Sequence, residues 1–148
     1  MASFTFVREV AAPPETLFEL FLDHRGYADL TMLRRSELER EGEPAPNGVG
    51  AIRVLHSVGP PLREEVLTYE EPTRFSYRLL SGLPLRDHVG TVEMTPQGNG
   101  TKVTYAVRAI PTLPLVGGVV IAAVRQGVKQ LLDRISAEAE HRASPSNV

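Results

Sequence analysis

Five consecutive stretches of this chain alternate apolar and polar residues, and the links between them are too short for anything but hairpins. They read GAIRVLHSVG, LREEVLTYE, RFSYRLLSG, DHVGTVEMTP and TKVTYAVRAI, joined by GPP, EPT, GLPL and QGNG. Period-2 alternation is the mark of a half-buried strand. A parallel pair needs a crossover of a dozen or more residues, so links this short predict antiparallel neighbours. The next segment changes period. PLVGGVVIAAVRQGVKQLLDRISAEAEHR has no proline after Pro114, and Val116, Val120, Val124, Val128, Leu131 and Ile135 recur in steps of three and four. That spacing predicts one long amphipathic helix. On its outer side Arg125, Lys129 and Asp133 form a row, and Glu138 is placed to pair with Arg142.

The N-terminal third completes the pattern. SFTFVREVA alternates and reads as a first strand. APPETLFELFLD follows, with Pro14 suited to a first helical turn, where a missing N–H is harmless. Leu17 with Phe21 and Phe18 with Leu22 give that short helix one apolar face ending near Asp23. HRGYADLTML predicts a second short helix or turn, and RRSELEREG a polar edge strand. Strands in succession with segregated helices mean an α+β layer fold. The expectation is a single domain over 1–143, with a disordered tail over 144–148. In it a curved antiparallel sheet of about seven strands wraps around the long C-terminal helix, with two short helices after strand one. The 42% apolar and 23% charged content suits one packed globular core.

The order and spacing of VAAPPETLFELFLD, GVGAIRVL, EEVLTYEEPTRFSYRLLSG and GNGTKVTY before the terminal helix resemble the START/SRPBCC superfamily. This is the helix-grip fold shared with birch-pollen allergens, and the chain most resembles its bacterial polyketide cyclase/dehydrase-like branch. The resemblance covers about the whole chain. It implies a deep apolar cavity between sheet and helix, and it implies no single reaction, because the fold hosts carriers, sensors and cyclases alike. The family often carries a tryptophan shortly after the first helix. This chain has none, and Tyr27 or Leu30 is the candidate replacement.

Hairpin arithmetic gives the faces. A two-residue turn at Gly98-Asn99 sets Gln97 against Gly100, and then pairs Met94 with Val103, Val92 with Tyr105, Gly90 with Val107 and His88 with Ala109. All the apolar alternates fall on one side, which therefore also carries a histidine and a glycine. Phe75, Tyr77 and Leu79 belong to the same face, and the missing side chain at Gly90 beside Tyr77 reads as room for a ligand. The preceding strand is ambiguous. A four-residue turn over Glu71–Arg74 pairs Val66 with Leu79 and turns Glu64 inward. A three-residue loop over Pro72–Arg74 pairs Tyr69 with Tyr77 and Leu67 with Leu79 and turns Glu65 inward, and it is preferred because it gathers more apolar area. In GAIRVLHSV the more apolar inward set is Ile52, Val54, His56 and Val58; Arg53 points in if a bulge intervenes.

His88 is the sharpest candidate for chemistry, as an imidazole titrating near neutrality in an apolar pocket; as structure alone, it caps a strand end. Glu65 (or Glu64) with Arg53 and Arg63 makes an inner polar spot or a solvated face. Arg86 and Asp87 read as a surface ion pair, and Arg125 as a solvated helix residue. The candidate catalytic pair is His88 and Glu65. The candidate ligand-binding set is Tyr77, Leu79, His88, Gly90, Val92, Tyr105, Val107, Arg53, Val124 and Val128.

Composition bounds the rest. Cysteine is absent, which excludes disulfides, thiol catalysis and Cys-based metal sites. The four histidines show no metal spacing, and no Walker, dinucleotide or G-x-S-x-G motif is present. No cofactor and no metal are expected. A net charge of −2 without a basic patch argues against a nucleic-acid partner. The start of the chain does not read as a signal peptide, and Leu113–Val124 is too short to span a bilayer. A cytoplasmic protein without an integral membrane segment is expected, as monomer or homodimer. The leading function is binding or transport of a small hydrophobic ligand such as a lipid, fatty acyl chain or aromatic polyketide-like metabolite. The alternatives are a polyketide cyclase/aromatase/dehydratase working by acid–base assistance, and a protein-interaction module with a filled interior.

Overall fold

The computed structural model describes residues 1–23, 35–56 and 59–144. Strand β1 (Ala2–Val10) leads into helix α1 (Pro14–Leu22). β2 (Arg35–Arg40), β3 (Ile52–His56), β4 (Leu62–Glu70), β5 (Arg74–Ser81), β6 (Leu85–Gln97) and β7 (Gly100–Pro111) follow, and helix α2 (Gly117–Ala143) closes the described chain. The strands form one seven-stranded sheet in the order β1-β7-β6-β5-β4-β3-β2. Every pairing is antiparallel. This is the curved sheet and long terminal helix of the helix-grip fold. The second short helix expected over residues 24–33, the tail over 145–148, and Tyr27 and Leu30 lie outside the described residues.

Local chemistry explains each element. Pro14 sits in the first turn of α1, and Leu17, Phe18, Leu20, Phe21 and Leu22 are all buried. With so much of its surface apolar, a nine-residue helix is held by packing rather than by its own propensity. Gly98 adopts φ 61°, which only a residue without Cβ takes easily, and it closes the two-residue β6–β7 turn. From there the ladder runs as the sequence predicts: Gln97–Gly100, Met94–Val103, Val92–Tyr105 and Gly90–Val107. β2 is the polar edge strand expected, with charged side chains that discourage edge pairing.

Two registers differ from expectation. β4 and β5 are joined over residues 71–73, pairing Glu70 with Arg74 and Tyr69 with Phe75. A bulge at Leu67 then shifts the ladder, so Val66 pairs with Tyr77 and Glu64 with Leu79. The predicted pairs of Tyr69 with Tyr77 and Leu67 with Leu79 are therefore incorrect. The extra residue lets Tyr69, Val66 and Glu64 share one face, which no regular two-residue repeat achieves. In β6 a second bulge falls between Arg86 and Val89, so Asp87 and His88 together face Ala109. Asp87 takes φ 53°, a left-handed conformation uncommon outside glycine and asparagine-like residues.

The core lies between the inner sheet face, α1 and the second half of α2. Val128, Leu132, Ile135 and Ala139 are its helical contribution. The predicted stripe is correct from Val128 to Ile135 but not at its start. Val116 is exposed, Val124 is half-buried against the core, and Leu132 rather than Leu131 occupies the deepest position. The predicted pair of Glu138 and Arg142 forms at 3.1 Å, and Lys129 reaches Asp133 at 3.0 Å, where Arg8 also binds. His141 and Arg142 stand in the last turn, where cations favour the helix dipole.

Candidate functional site

Aromatic rings line the middle of the inner face. Phe75 stacks on Tyr77 at 6.4 Å, Phe21 packs on Phe75 at 5.7 Å and on Tyr105 at 6.0 Å, and Phe18 meets Phe75 edge-on at 6.1 Å. Val92 and Val107 are buried among them. Toward β3 and the start of β6 this wall becomes polar. Tyr77 and Tyr105 join hydroxyl to hydroxyl. The His88 ring lies 5.8 Å from that of Tyr77, and the Arg53 guanidinium carbon lies 5.6 Å from the Tyr77 centroid. Arg53 Nη2 donates to Glu64 Oε1 at 3.2 Å, and Nη1 donates to the Phe21 carbonyl at 3.4 Å. Tyr77, Tyr105, His88, Arg53 and Glu64 thus form one cluster of hydrogen-bonding side chains, all of them buried.

The structure brings together most of the residues predicted for a site. Arg53 points inward, 1% exposed, although it sits in the less apolar alternate set of its strand. Both sets of β3 are in fact buried, so the hydrophobic contrast between its faces carries no information about direction. His88 also points inward, 6% exposed. Leu79 is half-buried across from Glu64, and Val128 lies in the core. Arg125 is exposed on α2 as expected, with its guanidinium 5.0 Å over the Phe6 ring.

Glu65 requires correction. Its carboxylate is held by Arg40 at 2.9 Å and by Arg78 at 2.6 Å, away from the inner cluster, and Glu64 takes the inward position. The cause is the bulge at Leu67. Arg63 likewise turns to Glu39, at 2.6 Å, rather than to the interior. The reading of Gly90 also changes. The space beside it is already taken by Tyr77: a Cβ built there would lie 2.6 Å from both Cε1 and Oη of that ring. The glycine is where the tyrosine lies flat against the sheet, not an opening for a ligand. Gly90→Ala should therefore lower stability by about 1–3 kcal/mol through overpacking. A urea midpoint equal to the parent's would mean that Tyr77 moves aside freely.

Burial sets the protonation of this cluster. Desolvation pushes the Glu64 carboxyl up, and the Arg53 charge and hydrogen bond oppose it. Tyr77 is pushed well up by burial, with Tyr105 and Glu64 adding to the effect, so it stays a phenol. Burial lowers His88, with its own backbone carbonyl offsetting part of this, so the ring is neutral at pH 7. The consequence for stability follows from proton uptake. Below its ordinary value of 6.5 the unfolded chain binds a proton that the folded ring resists, so stability is complete above that pH and declines as pH falls toward the lower folded value. Urea titrations at about pH 7.5 and 5.5 should show this decline in the parent, and a His88→Gln variant should lose that part of it.

Nδ1 of His88 is buried and makes no hydrogen bond to another described residue, and Ser136 Oγ on α2 shares that condition. Ser136 was not legible in the sequence, where it reads as an ordinary polar helix residue. An unmade bond at a buried polar atom costs about 1–3 kcal/mol. Among the described residues no group of three or more His, Cys, Asp or Glu could hold a metal, and no helix is long and apolar enough to cross a membrane.

A family model described as polyketide cyclase / dehydrase and lipid transport matches residues 1–140. The chain belongs to that family. No curated protein matches it. Among solved structures, the Zhui aromatase/cyclase from Streptomyces sp. R1128 is similar with a TM-score of 0.81 at 18% identity, covering 98% of this chain and 97% of that one. A START superfamily protein from Mycobacterium smegmatis follows at 0.79 and 15%, covering 94% and 97%. A norcoclaurine synthase point mutant from Thalictrum flavum, in complex with a transition-state analogue, gives 0.75 and 14%, covering 97% and 96%. At these identities the likeness is one of fold. It gives the chain the helix-grip fold and assigns it no ligand.

Proposed function

We propose that this family member binds a small, largely apolar molecule between the sheet and α2, with the molecule's polar end at the Arg53, Glu64, Tyr77 and His88 cluster. The observation that carries this is the buried His88 Nδ1, which makes no hydrogen bond to another described residue. A buried polar atom is kept at such cost where something outside the chain completes its bond. The neighbours of the cluster have the character such a molecule needs: Val92, Tyr105 and Val107 are apolar and aromatic side chains of the inner face, and Val124 and Val128 stand opposite on α2. Pockets for small molecules have this composition, mostly apolar with a few converging polar groups.

The test is a fluorescence titration with prodan, an uncharged naphthalene ketone whose emission reports its surroundings. Saturable binding at micromolar protein is expected, weakened about fivefold in His88→Ala through loss of one hydrogen bond. A linear, unsaturable signal would remove the proposal.

A cyclase or dehydratase reading is favoured by one further feature. A neutral imidazole sits beside a phenol and a carboxyl whose pKa is raised by burial. In that reading His88 takes a proton from an activated methylene, and Tyr77 hydrogen-bonds the enolate oxygen that forms. His88→Ala would then abolish turnover of a poly-β-keto substrate while binding persists.

A further inference from the structure

We propose that Glu64 is a specificity-determining residue, which makes the inner site selective for uncharged ligands over carboxylates by cancelling the charge of Arg53. This rests on the ligand-binding reading above and deepens it.

Among the described residues, Arg53 and Glu64 are the only buried side chains of ionisable acid or strong base type. They face each other at 3.2 Å from adjacent strands, in direct register. The other titratable members of the cluster add no charge at neutral pH: His88 is a neutral ring and Tyr77 a phenol. The outward acids and bases nearby are already matched, Glu65 by Arg40 and Arg78, and Glu39 by Arg63. As an ion pair the two leave the polar end of the site with no net charge among the described residues.

An inner arginine by itself would attract a carboxylate in a fork-like geometry. Here two of its nitrogens are already engaged. Nη2 is used on Glu64, Nη1 on the Phe21 carbonyl, and the cation lies against the Tyr77 ring. A ligand carboxylate entering this site would meet the Glu64 carboxylate and lose its own hydration without gaining a free cation, the situation in which buried charge is most costly. A ketone, enol or phenol oxygen carries no such penalty. It can hydrogen-bond to His88, whose neutral ring offers a donor on one nitrogen and an acceptor on the other.

The experiment is a competition against prodan by 2-acetylnaphthalene and by 2-naphthoate, which share ring and shape and differ in charge. The parent protein should bind the ketone about tenfold or more tightly than the carboxylate. Glu64→Gln keeps a hydrogen-bonding side chain and removes the negative charge, so it should narrow that ratio or reverse it. Equal affinities in the parent, or a preference for 2-naphthoate, would overturn the assignment of Glu64 while leaving ligand binding intact. A parent that binds neither prodan nor the ketone overturns the binding reading and this inference with it. The parent comparison stands without the variant, so a Glu64→Gln protein that fails to fold does not protect the proposal.

Discussion

Arg53→Met is expected to destabilise the protein by about 3–5 kcal/mol, because it strands Glu64 as a buried carboxylate without its cation. The arginine is 1% exposed, hydrogen-bonds the Phe21 carbonyl at the end of α1, and lies against the Tyr77 ring. Its loss also removes packing and a cation–π contact. The informative comparison is the double variant Arg53→Met, Glu64→Leu. Replacing both members of a buried ion pair by apolar residues of similar size is often neutral or stabilising, so most of the loss should be recovered. Urea unfolding of the parent, the two single variants and the double variant measures this as a coupling energy. Additive effects would mean that the two side chains act independently despite their contact. A double variant more stable than the parent would show that the pair is retained at a cost to stability, as expected of groups that serve a ligand.

The second large effect lies in the aromatic wall. Phe21 is fully buried and touches both Phe75 and Tyr105, so it ties α1 to β5 and β7. Phe21→Ala should cost about 3–5 kcal/mol, the sum of lost transfer free energy and a cavity that the rigid sheet cannot collapse to fill. The unfolding midpoint in urea should fall with little change in slope, since the area exposed on unfolding is nearly the same. A loss below about 1 kcal/mol would show that α1 rearranges to close the gap.

These residues show unevenly what a reader of the sequence can see. The β6–β7 ladder follows residue by residue from one turn, because Gly98-Asn99 fixes the register and each later pair inherits it. Helix α1 follows from Pro14 and its i,i+4 pairs, and α2 from its change of period. His88 faces inward as the alternation predicts, though a bulge at Asp87 holds it there. The errors have separate causes. The bulge at Leu67 carries no glycine or proline to mark it, yet it exchanges Glu65 for Glu64 on the inner face. Arg53 sits in the less apolar set of a strand buried on both sides, so hydrophobic contrast carries no information about its direction. Gly90 is seen correctly as an empty position, but what fills it is the length of a tyrosine on the neighbouring strand.

The sequence by itself determined which segments are strands, which are helices, their order, and the face on which His88, Tyr77 and Tyr105 meet, because period and turn chemistry act over a few residues. Only the tertiary structure decided that Arg53 pairs with Glu64 and that Tyr77 closes the space at Gly90. Those outcomes depend on single-residue offsets between strands and on how far side chains reach across them, and the free energy that settles them comes from contacts formed only when the whole sheet assembles.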